Sequence, residues 1–460
     1  MMSLLITNGR IVTAIDDYVA DILCENEKIS RIGQNLTPSP DTEVIDAAGK
    51  YVFPGFIDPH VHIYLPFMGT YAKDTYESAS RAALVGGTTT LIEMCCPSRQ
   101  EEPLAGFELW LSKAQGIAAC DYTFHMGVTR FDDLAATQLR EIVERGIASF
   151  KIFLAYKGAF GIDDQELFQT LRLARELGVI VTAHCENETL VAELQQQHLN
   201  DGKTGPQWHE PSRPTCVEAE GVRHLMTFAE LTKAHIYVVH TSCQEAIEAA
   251  EAARHRGVKA WIETVIPYLL LDDTYAQQPD FEGARYVMSP PIRTRKHQDI
   301  LWQALASGLV STVATDHAPF DFVGQKEMGR DDFTKIPNGI PSIEDRVNLL
   351  YTYGVKRGRI DLHRLVDAGS TQAAKLFGLF PRKGTVALGS DADLVVYDPQ
   401  WRGTISAKTH QMDVDYSAYE GWGLEGRPSA VVVRGKLQVR DGAFVGDQSH
   451  GQFLPRDPSH

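Results

Sequence analysis

Hydrophobic and polar positions divide the 460-residue chain into a strand-rich beginning, an alternating middle and a strand-rich end. Residues 1–52 contain short strand patterns interrupted by Asn-Gly and Ala-Gly turns, in LLITNGRIV, ADILCENEKISRIG and EVIDAAGKYVF. Residues 382–445 have the same character, in KGTVALGSDADLVVYDP and SAVVVRGKLQVRDGAFV. This spacing is typical of a small β unit. We therefore predict one β-sandwich domain built from both chain ends, residues 1–54 and 382–460.

The middle of the chain alternates between short apolar runs and helical patterns. The runs are FIDPHVH, TTLIEM, DYTFHMGV, SFKIFLA, VIVTAHC, HIYVVHT, KAWIETV and STVATD. Between them, segments such as DTYESASRAALVGG and QEAIEAAEAARHRG place apolar residues three and four apart and end at glycine. Eight strands alternating with helices predict an α/β fold, a (β/α)₈ TIM barrel over residues 55–381. A doubly wound sheet is the alternative, although it usually has fewer strands.

Composition excludes several classes of function. The net charge of −16 disfavours binding to nucleic acid and to anionic membranes. The seven cysteines include no CxxC pair, so they indicate a reducing compartment, and Cys95 and Cys96 are expected to be small buried hydrophobes. The beginning MMSLLITNGRIVT does not have the pattern of a signal peptide, and no window has about eighteen apolar residues. We expect a cytoplasmic protein.

Six residues that can bind metal lie in or at the ends of the predicted barrel strands. In a TIM barrel the carboxyl ends of the strands form one rim, where active sites are built. Two side chains that are two residues apart on a strand point to the same face, so a pair of histidines with this spacing can hold one ion. A lone histidine on a strand is more often a core residue, but the recurrence at five strands favours two divalent metal ions. The six residues are His60, His62, Lys151, His184, His240 and Asp316.

Lys151 lies in the apolar run SFKIFLAY and needs its own explanation. It could simply extend its ammonium to a barrel edge. A bare ammonium beside two dications would be strongly repelled, so Lys151 can be a ligand only if its charge is reversed. Carbamylation by CO₂ gives an anionic group that could bridge both ions. Carbamate, Asp316 and a bridging hydroxide then leave the site with about one positive charge, enough to polarise a carbonyl.

The motifs that contain these residues resemble the D-hydantoinase/dihydropyrimidinase group of the amidohydrolase superfamily. The resemblance covers nearly the whole chain, and IYLPF, EMCCPSR and TGPQWHEPSRP are most similar to thermophilic bacterial members. The motifs that carry it are PGFIDPHVHIYLPF, GGTTT, SFKIFLAYKG, VTAHCEN, VVHTS, YVMSPPIR, TDHAPFDF, FTKIPNGIPSIEDR and KLFGLFPRKGTVALGSDADLVVYDP.

The resemblance implies a metal centre with a division of ligands. His60 and His62 would bind the more buried zinc ion, and His184 and His240 the other. Carbamylated Lys151 and a hydroxide would bridge them. Mn²⁺ or Co²⁺ could replace Zn²⁺, and CO₂ is needed for the carbamate. The group's members are typically homotetramers.

The resemblance also implies a reaction. Hydroxide attacks the ring amide of a 5-substituted hydantoin or dihydropyrimidine, and an N-carbamoyl amino acid forms. Asp316 would ligate the buried metal and shuttle the proton to the leaving nitrogen. Tyr156 would stabilise the oxyanion, while Ser289 and Asn338 would hold the cyclic ureide largely through main-chain groups.

Apolar residues after the first and fourth barrel strands are candidates for a gate that accepts bulky 5-substituents. Packing within the barrel or at an interface explains them equally well. The candidates are Leu65, Phe67, Phe153 and Phe160.

Related functions remain as alternatives. Dihydroorotase-like enzymes carry an arginine two residues after the second histidine, where this chain has Tyr64, so an anionic substrate has no obvious partner. An allantoinase-like activity stays open. Some relatives are non-catalytic assembly proteins that have lost the metal ligands, whereas this chain has all six. The physiological substrate, its handedness and the native metal are not determined by the sequence, and the tail FLPRDPSH is expected either to fray or to reach a neighbouring subunit.

Overall fold

The chain begins with five strands, and many of their apolar side chains pack with those of the last strands in a core separate from that of the barrel. The computed structural model describes residues 3–459, so Met1, Met2 and His460 of the predicted β domain lie outside it. The first strand bulges between Ile6 and Gly9, where Asn8 has a φ of +60°. The strands are β1 (Ser3–Val12), β2 (Asp17–Glu25), β3 (Lys28–Gly33), β4 (Glu43–Asp46) and β5 (Tyr51–Pro54).

Eight parallel strands then form the barrel, one for each predicted apolar run. Most of their residues are buried, because helices cover one face and the barrel interior the other. The first and last barrel strands are joined at their carboxyl ends, where His62 N donates to His317 O at 2.8 Å and Asp316 N to His60 O at 3.0 Å. The strands are β6 (Phe56–Val61), β9 (Thr88–Cys95), β10 (Asp121–Gly127), β11 (Ser149–Phe153), β12 (Ile180–His184), β13 (Ile236–Val238), β14 (Ala260–Val265) and β15 (Thr312–Ala314), with a hairpin of β7 (Pro66–Phe67) and β8 (Thr70–Tyr71) after β6.

Helices connect the barrel strands, and their local sequences explain where they begin and end. The fourth helix is typical: Asp163 and Glu166 form a capping box at its start, and Gly178 ends it with a φ of +68°. The helices are α1 (Tyr76–Val85), α2 (Pro103–Ala114), α3 (Asp133–Glu144), α4 (Asp164–Leu177), α5 (Glu188–Asn200), α6 (Thr215–Thr232), α7 (Gln244–His255), α8 (Ile266–Leu270), α9 (Arg295–Ala306), α10 (Arg346–Leu349), α11 (Leu362–Val366) and α12 (Gln372–Leu376).

The last strands return to the first sheet, which confirms the predicted fold class. They are β16 (Leu394–Thr404), β17 (Gly423–Val433), β18 (Lys436–Arg440) and β19 (Ala443–Phe444). The sheet order is β19-β18-β17-β16-β5-β1-β2-β3, with β4 beside β1, and most pairs are antiparallel. Only Gly55 separates β5 from the first barrel strand. On this basis we propose residues 1–54 with 382–460 and residues 55–381 as the two domains.

The tail beyond β19 packs against the amino-terminal end of the barrel of its own chain. Leu454 is fully buried, and Arg456 donates to Thr123 Oγ1 at 3.1 Å and to Ser149 Oγ at 3.0 Å. The described part of the tail is therefore ordered by contacts with the barrel, rather than frayed. Cys95 and Cys96 are buried as predicted. Within residues 3–459, no helix has the length and apolar character needed to cross a membrane.

Candidate active site

The barrel places all six predicted metal-binding residues at its carboxyl end. His60 lies within β6, Lys151 within β11, and His184 is the last residue of β12. The others follow their strands by one or two residues. His62, Lys151, His184, His240 and Asp316 line one pocket, and His60 lies directly behind it.

His60, His62 and Asp316 form a compact group of ligand atoms. Asp316 Oδ1 lies 3.2 Å from Nε2 of each histidine, and all three residues are buried. His60 Nδ1 lies 2.7 Å from Glu263 Oε1, to which it can donate, so His60 Nε2 carries the lone pair. A lone pair facing a carboxylate oxygen fits a cation between them.

His184 and His240 form the second half of the site. His184 Nδ1 lies 3.0 Å from His240 Nε2. His184 Nε2 lies 2.8 Å from Glu186 Oε2, which leaves the lone pair on Nδ1, on the side of His240. Arg213 Nη1 donates to the same Glu186 oxygen at 2.6 Å. Burial alone would raise the pKa of Glu186, but Arg213 and His184 lower it to about 2, so this carboxylate stays ionised.

Lys151 is fully buried in the same pocket. Among the described residues its Nζ has no hydrogen-bond partner. Burial lowers the pKa of Lys151, although Asp316 opposes the shift. A lower pKa increases the fraction of neutral amine, which is the form that reacts with CO₂. Burial also lowers the pKa of His60 and of His240, helped by Lys151 and His184 respectively, so both imidazoles are neutral as metal ligation requires.

Glu263 is a site residue that the sequence reasoning missed. Besides His60, its carboxylate accepts from His240 N at 2.9 Å and from the Tyr237 hydroxyl at 2.8 Å. Burial raises its pKa to about 8, so a cation in the site would favour its ionised form. An acidic residue inside the apolar run KAWIETV was the available signal, and Glu186 in VTAHCEN was another.

Three site residues have backbone conformations that L-amino acids rarely adopt. The φ angles are +64° for Tyr156, +36° for His240 and +51° for Asp316. Positive φ angles are uncommon in residues other than glycine. They cluster at functional sites, where the surrounding structure maintains them. All three residues lie in connections that follow barrel strands, and all three line the pocket.

The predicted substrate-binding residues converge on the same pocket. Asn338 Nδ2 donates to Ser289 Oγ at 2.9 Å, and both side chains interact with the Tyr156 hydroxyl. The Tyr156 ring lies 5.1 Å from the His184 ring, measured between centroids. Burial raises the pKa of Tyr156 to about 12. Its hydroxyl therefore stays protonated and can donate a hydrogen bond to an oxygen.

Aromatic residues form the outer wall of the pocket. The Phe67 ring lies 5.3 Å from Tyr156 and 6.2 Å from Phe160, and Phe153 lies 5.4 Å from Phe160. Leu65 completes this wall. All four predicted gate residues therefore line the pocket. Their role as a gate stays a prediction.

The described residues that line the pocket include no arginine. Tyr64, which stands where dihydroorotase-like enzymes have arginine, packs beside Tyr76 and under the Lys113 ammonium instead. Arg213 is nearby but is paired with Glu186. The pocket therefore suits a neutral ring better than an anionic one.

The donor set fits two divalent ions. Imidazole nitrogen and carboxylate oxygen are ligands that Zn²⁺ and similar ions accept. Buried His60 Nε2, His240 Nδ1 and Lys151 Nζ lack hydrogen-bond partners in the described part of the chain, which is unusual for buried polar atoms.

Comparisons with known proteins find relatives that match nearly the whole chain. The model of the amidohydrolase family matches residues 51–438. The chain is 49% identical over 456 residues to a D-hydantoinase of Geobacillus stearothermophilus, covering 99% of this chain and 97% of that protein. It is 37% identical over 462 residues to a dihydropyrimidinase of Rattus norvegicus, covering 99% and 89%. A solved structure of a D-hydantoinase (dihydropyrimidinase) from Thermus sp. matches with a TM-score of 0.97 and 65% identity, over 99% of each chain.

Proposed function

Because this chain belongs to the amidohydrolase family, we propose that it hydrolyses the ring amide of cyclic ureides. Its substrates are 5-substituted hydantoins, dihydropyrimidines or both, and its products are N-carbamoyl amino acids. One observation carries the proposal: five of the six proposed metal ligands, Tyr156 and an apolar wall line a single pocket whose described lining residues include no arginine. A small neutral ring with an apolar substituent matches that pocket.

The six ligands divide into two groups in this proposal. His60, His62 and Asp316 would hold one ion, His184 and His240 would hold the other, and Lys151 as its carbamate would contribute to both. This role of Lys151 is supported by its buried Nζ, which has no hydrogen-bond partner among the described residues. Zinc is the proposed metal, with manganese or cobalt as substitutes. When bound, two such ions lower the pKa of a shared water, so that the nucleophile exists at neutral pH.

The chain's own residues supply the remaining steps. Asp316 accepts the proton of the attacking hydroxide and passes it to the ring nitrogen as the C–N bond breaks. The Tyr156 hydroxyl donates to the oxygen that becomes negative during attack. Ser289 and Asn338, which are joined by a hydrogen bond beside Tyr156, orient the ureide.

The apolar wall decides which rings enter. Phe67, Phe153 and Phe160, with Leu65, would contact the 5-substituent and discriminate its handedness. An allantoinase-like activity is the second candidate, because allantoin is also a neutral cyclic ureide. The resemblance further leads us to propose a homotetramer, which light scattering during size-exclusion chromatography would test.

A substrate panel tests the proposal. Purified protein, supplied with zinc or manganese and bicarbonate, is assayed on dihydrouracil, phenylhydantoin, methylthioethyl-hydantoin and allantoin, with separate enantiomers where they exist. Metal content is measured in parallel. We expect ring opening of hydantoins or dihydrouracil and about two metal ions per chain. Asp316→Asn should abolish turnover, and Asp299→Asn on the exposed surface of α9 is the matched control. Protein that binds no metal and leaves every ring intact would refute the proposal.

A further inference from the structure

Outside the site described above, two buried cations, Lys326 and Arg456, have no carboxylate partner among the described residues, and Lys326 is the one that contacts loops of the pocket. Lys326 is fully buried at the start of a short 3₁₀ turn, Lys326–Gly329, that follows the last barrel strand. Among the described residues, no carboxylate forms an ion pair with it, although a buried charge usually has such a partner. Its position therefore needs another explanation.

The Lys326 ammonium donates only to main-chain carbonyls of two loops. The acceptors are Val287 O at 2.9 Å, Pro337 O at 2.6 Å and Gly339 O at 2.7 Å. An ammonium has three donors, so all of them are used. Gly339 N also donates to Val287 O at 2.9 Å, which joins the same two loops directly. Gly339 cannot be replaced easily, because a Cβ there would lie 2.2 Å from Ala318 O.

Both loops carry a predicted substrate-binding residue. Val287 precedes Ser289 by two positions, and Pro337 and Gly339 flank Asn338 on either side. The Lys326 contacts therefore fix the separation and orientation of the main-chain groups beside Ser289 and Asn338. The Asn338–Ser289 hydrogen bond spans the same gap on the pocket side.

The preceding residue makes an equivalent contact to the aromatic wall. Gln325 Nε2 donates to Thr70 Oγ1 at 2.7 Å and to Tyr71 O at 2.9 Å, both in β8. Thr70 is the cross-strand partner of Phe67. Gln325 Oε1 accepts from Asp321 N at 2.6 Å, so the amide is held on both sides.

We infer that Gln325 and Lys326 are a positioning pair that joins the ureide-binding loops to the hairpin carrying Phe67. Lys326 fixes the two loops that would bind the ring, and Gln325 fixes the distance from those loops to the Phe67 side of the pocket, which would contact the substituent. This inference rests on the proposed function, because it assigns roles toward that substrate. Neither side chain touches the reacting atoms, so neither is a catalytic residue.

Lys326→Met tests the first half of the inference. Lys335→Met, an exposed lysine nearby, is the control. We expect KM to rise about tenfold for dihydrouracil and for substituted hydantoins alike, the effect of losing about one hydrogen bond. The value of kcat should change much less, and metal content should stay at the level of the parent protein. An unchanged KM in a folded, metal-loaded variant would overturn this role.

Gln325→Ala tests the second half, with exposed Gln303→Ala as its control. We expect the ratio of kcat/KM for phenylhydantoin over dihydrouracil to change about fivefold or more, since misplacing a wall by about 1 Å has effects of that order. The control should leave the ratio as it is. A ratio that stays constant in Gln325→Ala would refute the link to the wall.

Hydrogen exchange separates this inference from the proposed function. The Gly339 amide should be protected in the parent protein and exchange about tenfold faster in Lys326→Met. Lys326→Gln, which keeps two donors, should be intermediate and guards against a Met variant that does not fold. If the parent protein opened no cyclic ureide, the proposed function would be refuted. The exchange measurement would still show whether Lys326 holds the two loops together. Equal exchange rates of the Gly339 amide in all three proteins would refute the role of Lys326 in holding these loops.

Discussion

Glu263→Gln is the change that most directly tests how the second layer of residues supports the metal site. The Glu263 carboxylate faces His60 Nδ1, His240 N and the Tyr237 hydroxyl, at 2.7, 2.9 and 2.8 Å. Glutamine has nearly the same shape. Its amide oxygen can keep the contacts to His60 and His240, and its NH₂ can donate to the Tyr237 oxygen. The substitution therefore removes a negative charge while preserving the arrangement of the ligands.

The expected magnitude follows from the role of that charge. A carboxylate that accepts from a ligating histidine raises the basicity of the ring, and loss of such a partner lowers metal affinity about 10- to 100-fold. This corresponds to about 1.4–2.7 kcal/mol of binding free energy. Without metal the effect should be small or reversed, because burial raises the pKa of Glu263 to about 8 and the neutral amide has no charge to desolvate. The metal-free variant should therefore melt at the parent temperature or slightly above it.

The assay measures metal retention in zinc buffers of graded free concentration, together with melting of the metal-free protein. Glu344→Gln is the matched control, since Glu344 is also a buried carboxyl whose pKa burial raises to about 8, and it accepts from Gln411 N away from the ligands. The control should keep the parent's affinity. A Glu263→Gln affinity within about twofold of the parent would refute the reasoning, because it would show that the charge on Glu263 does not support the ligands.

Three further predictions concern other parts of the molecule. Lys151→Ala should lose metal and activity, and short carboxylic acids should restore part of both; absence of rescue in a folded variant would contradict the carbamate. Arg346→Met should destabilise the fold by about 3–5 kcal/mol, since Arg346 spans Ile57 O and Val313 O at the barrel seam and offsets buried Asp58, so an unchanged denaturation midpoint would be contrary to expectation. Burial lowers the pKa of His410, but Asp345 raises it to about 9, above the ordinary 6.5. The contribution of protonated His410 to the free energy of unfolding is therefore full below pH 6.5 and is lost as the pH rises through 9. His410→Gln should therefore reduce stability by roughly 3 kcal/mol at most near pH 6 and by little near pH 10, and a pH-independent difference in denaturation would argue against it.

Sequence reasoning succeeded where a local pattern of residues depends on the position of the element in the fold. The eight apolar runs are the eight barrel strands, because a parallel strand with both faces covered must be apolar over its whole length. The predicted family and activity class are likewise confirmed, because known members match this chain over nearly its whole length. The motifs around His60, His184 and Asp316 were among those that predicted them. The six ligands, the substrate-binding residues and the gate are brought together by the structure, and their roles remain proposals.

The residues that sequence reasoning missed share one property: their roles depend on partners distant in the chain. Glu263 lies 203 positions from His60, and Arg213 lies 27 positions from Glu186. Lys326 stands in an unremarkable polar loop, and its importance comes only from carbonyls that belong to two other loops. The acidic residues in KAWIETV and VTAHCEN were local signals, but no periodicity or local motif encodes which distant groups such side chains contact.

Sequence patterns alone predicted the barrel, the β sheet formed by both chain ends and the candidate metal ligands. This was possible because strand periodicity and strand-end position are local properties, and parallel topology brings the strand ends to one rim. The tertiary structure decided which nitrogen of His60 and of His184 carries the lone pair, where the tail packs, and how Gln325 and Lys326 connect the proposed ureide-binding loops to the aromatic wall. Those outcomes depend on hydrogen-bond directions and burial, which exist only once distant segments have come together.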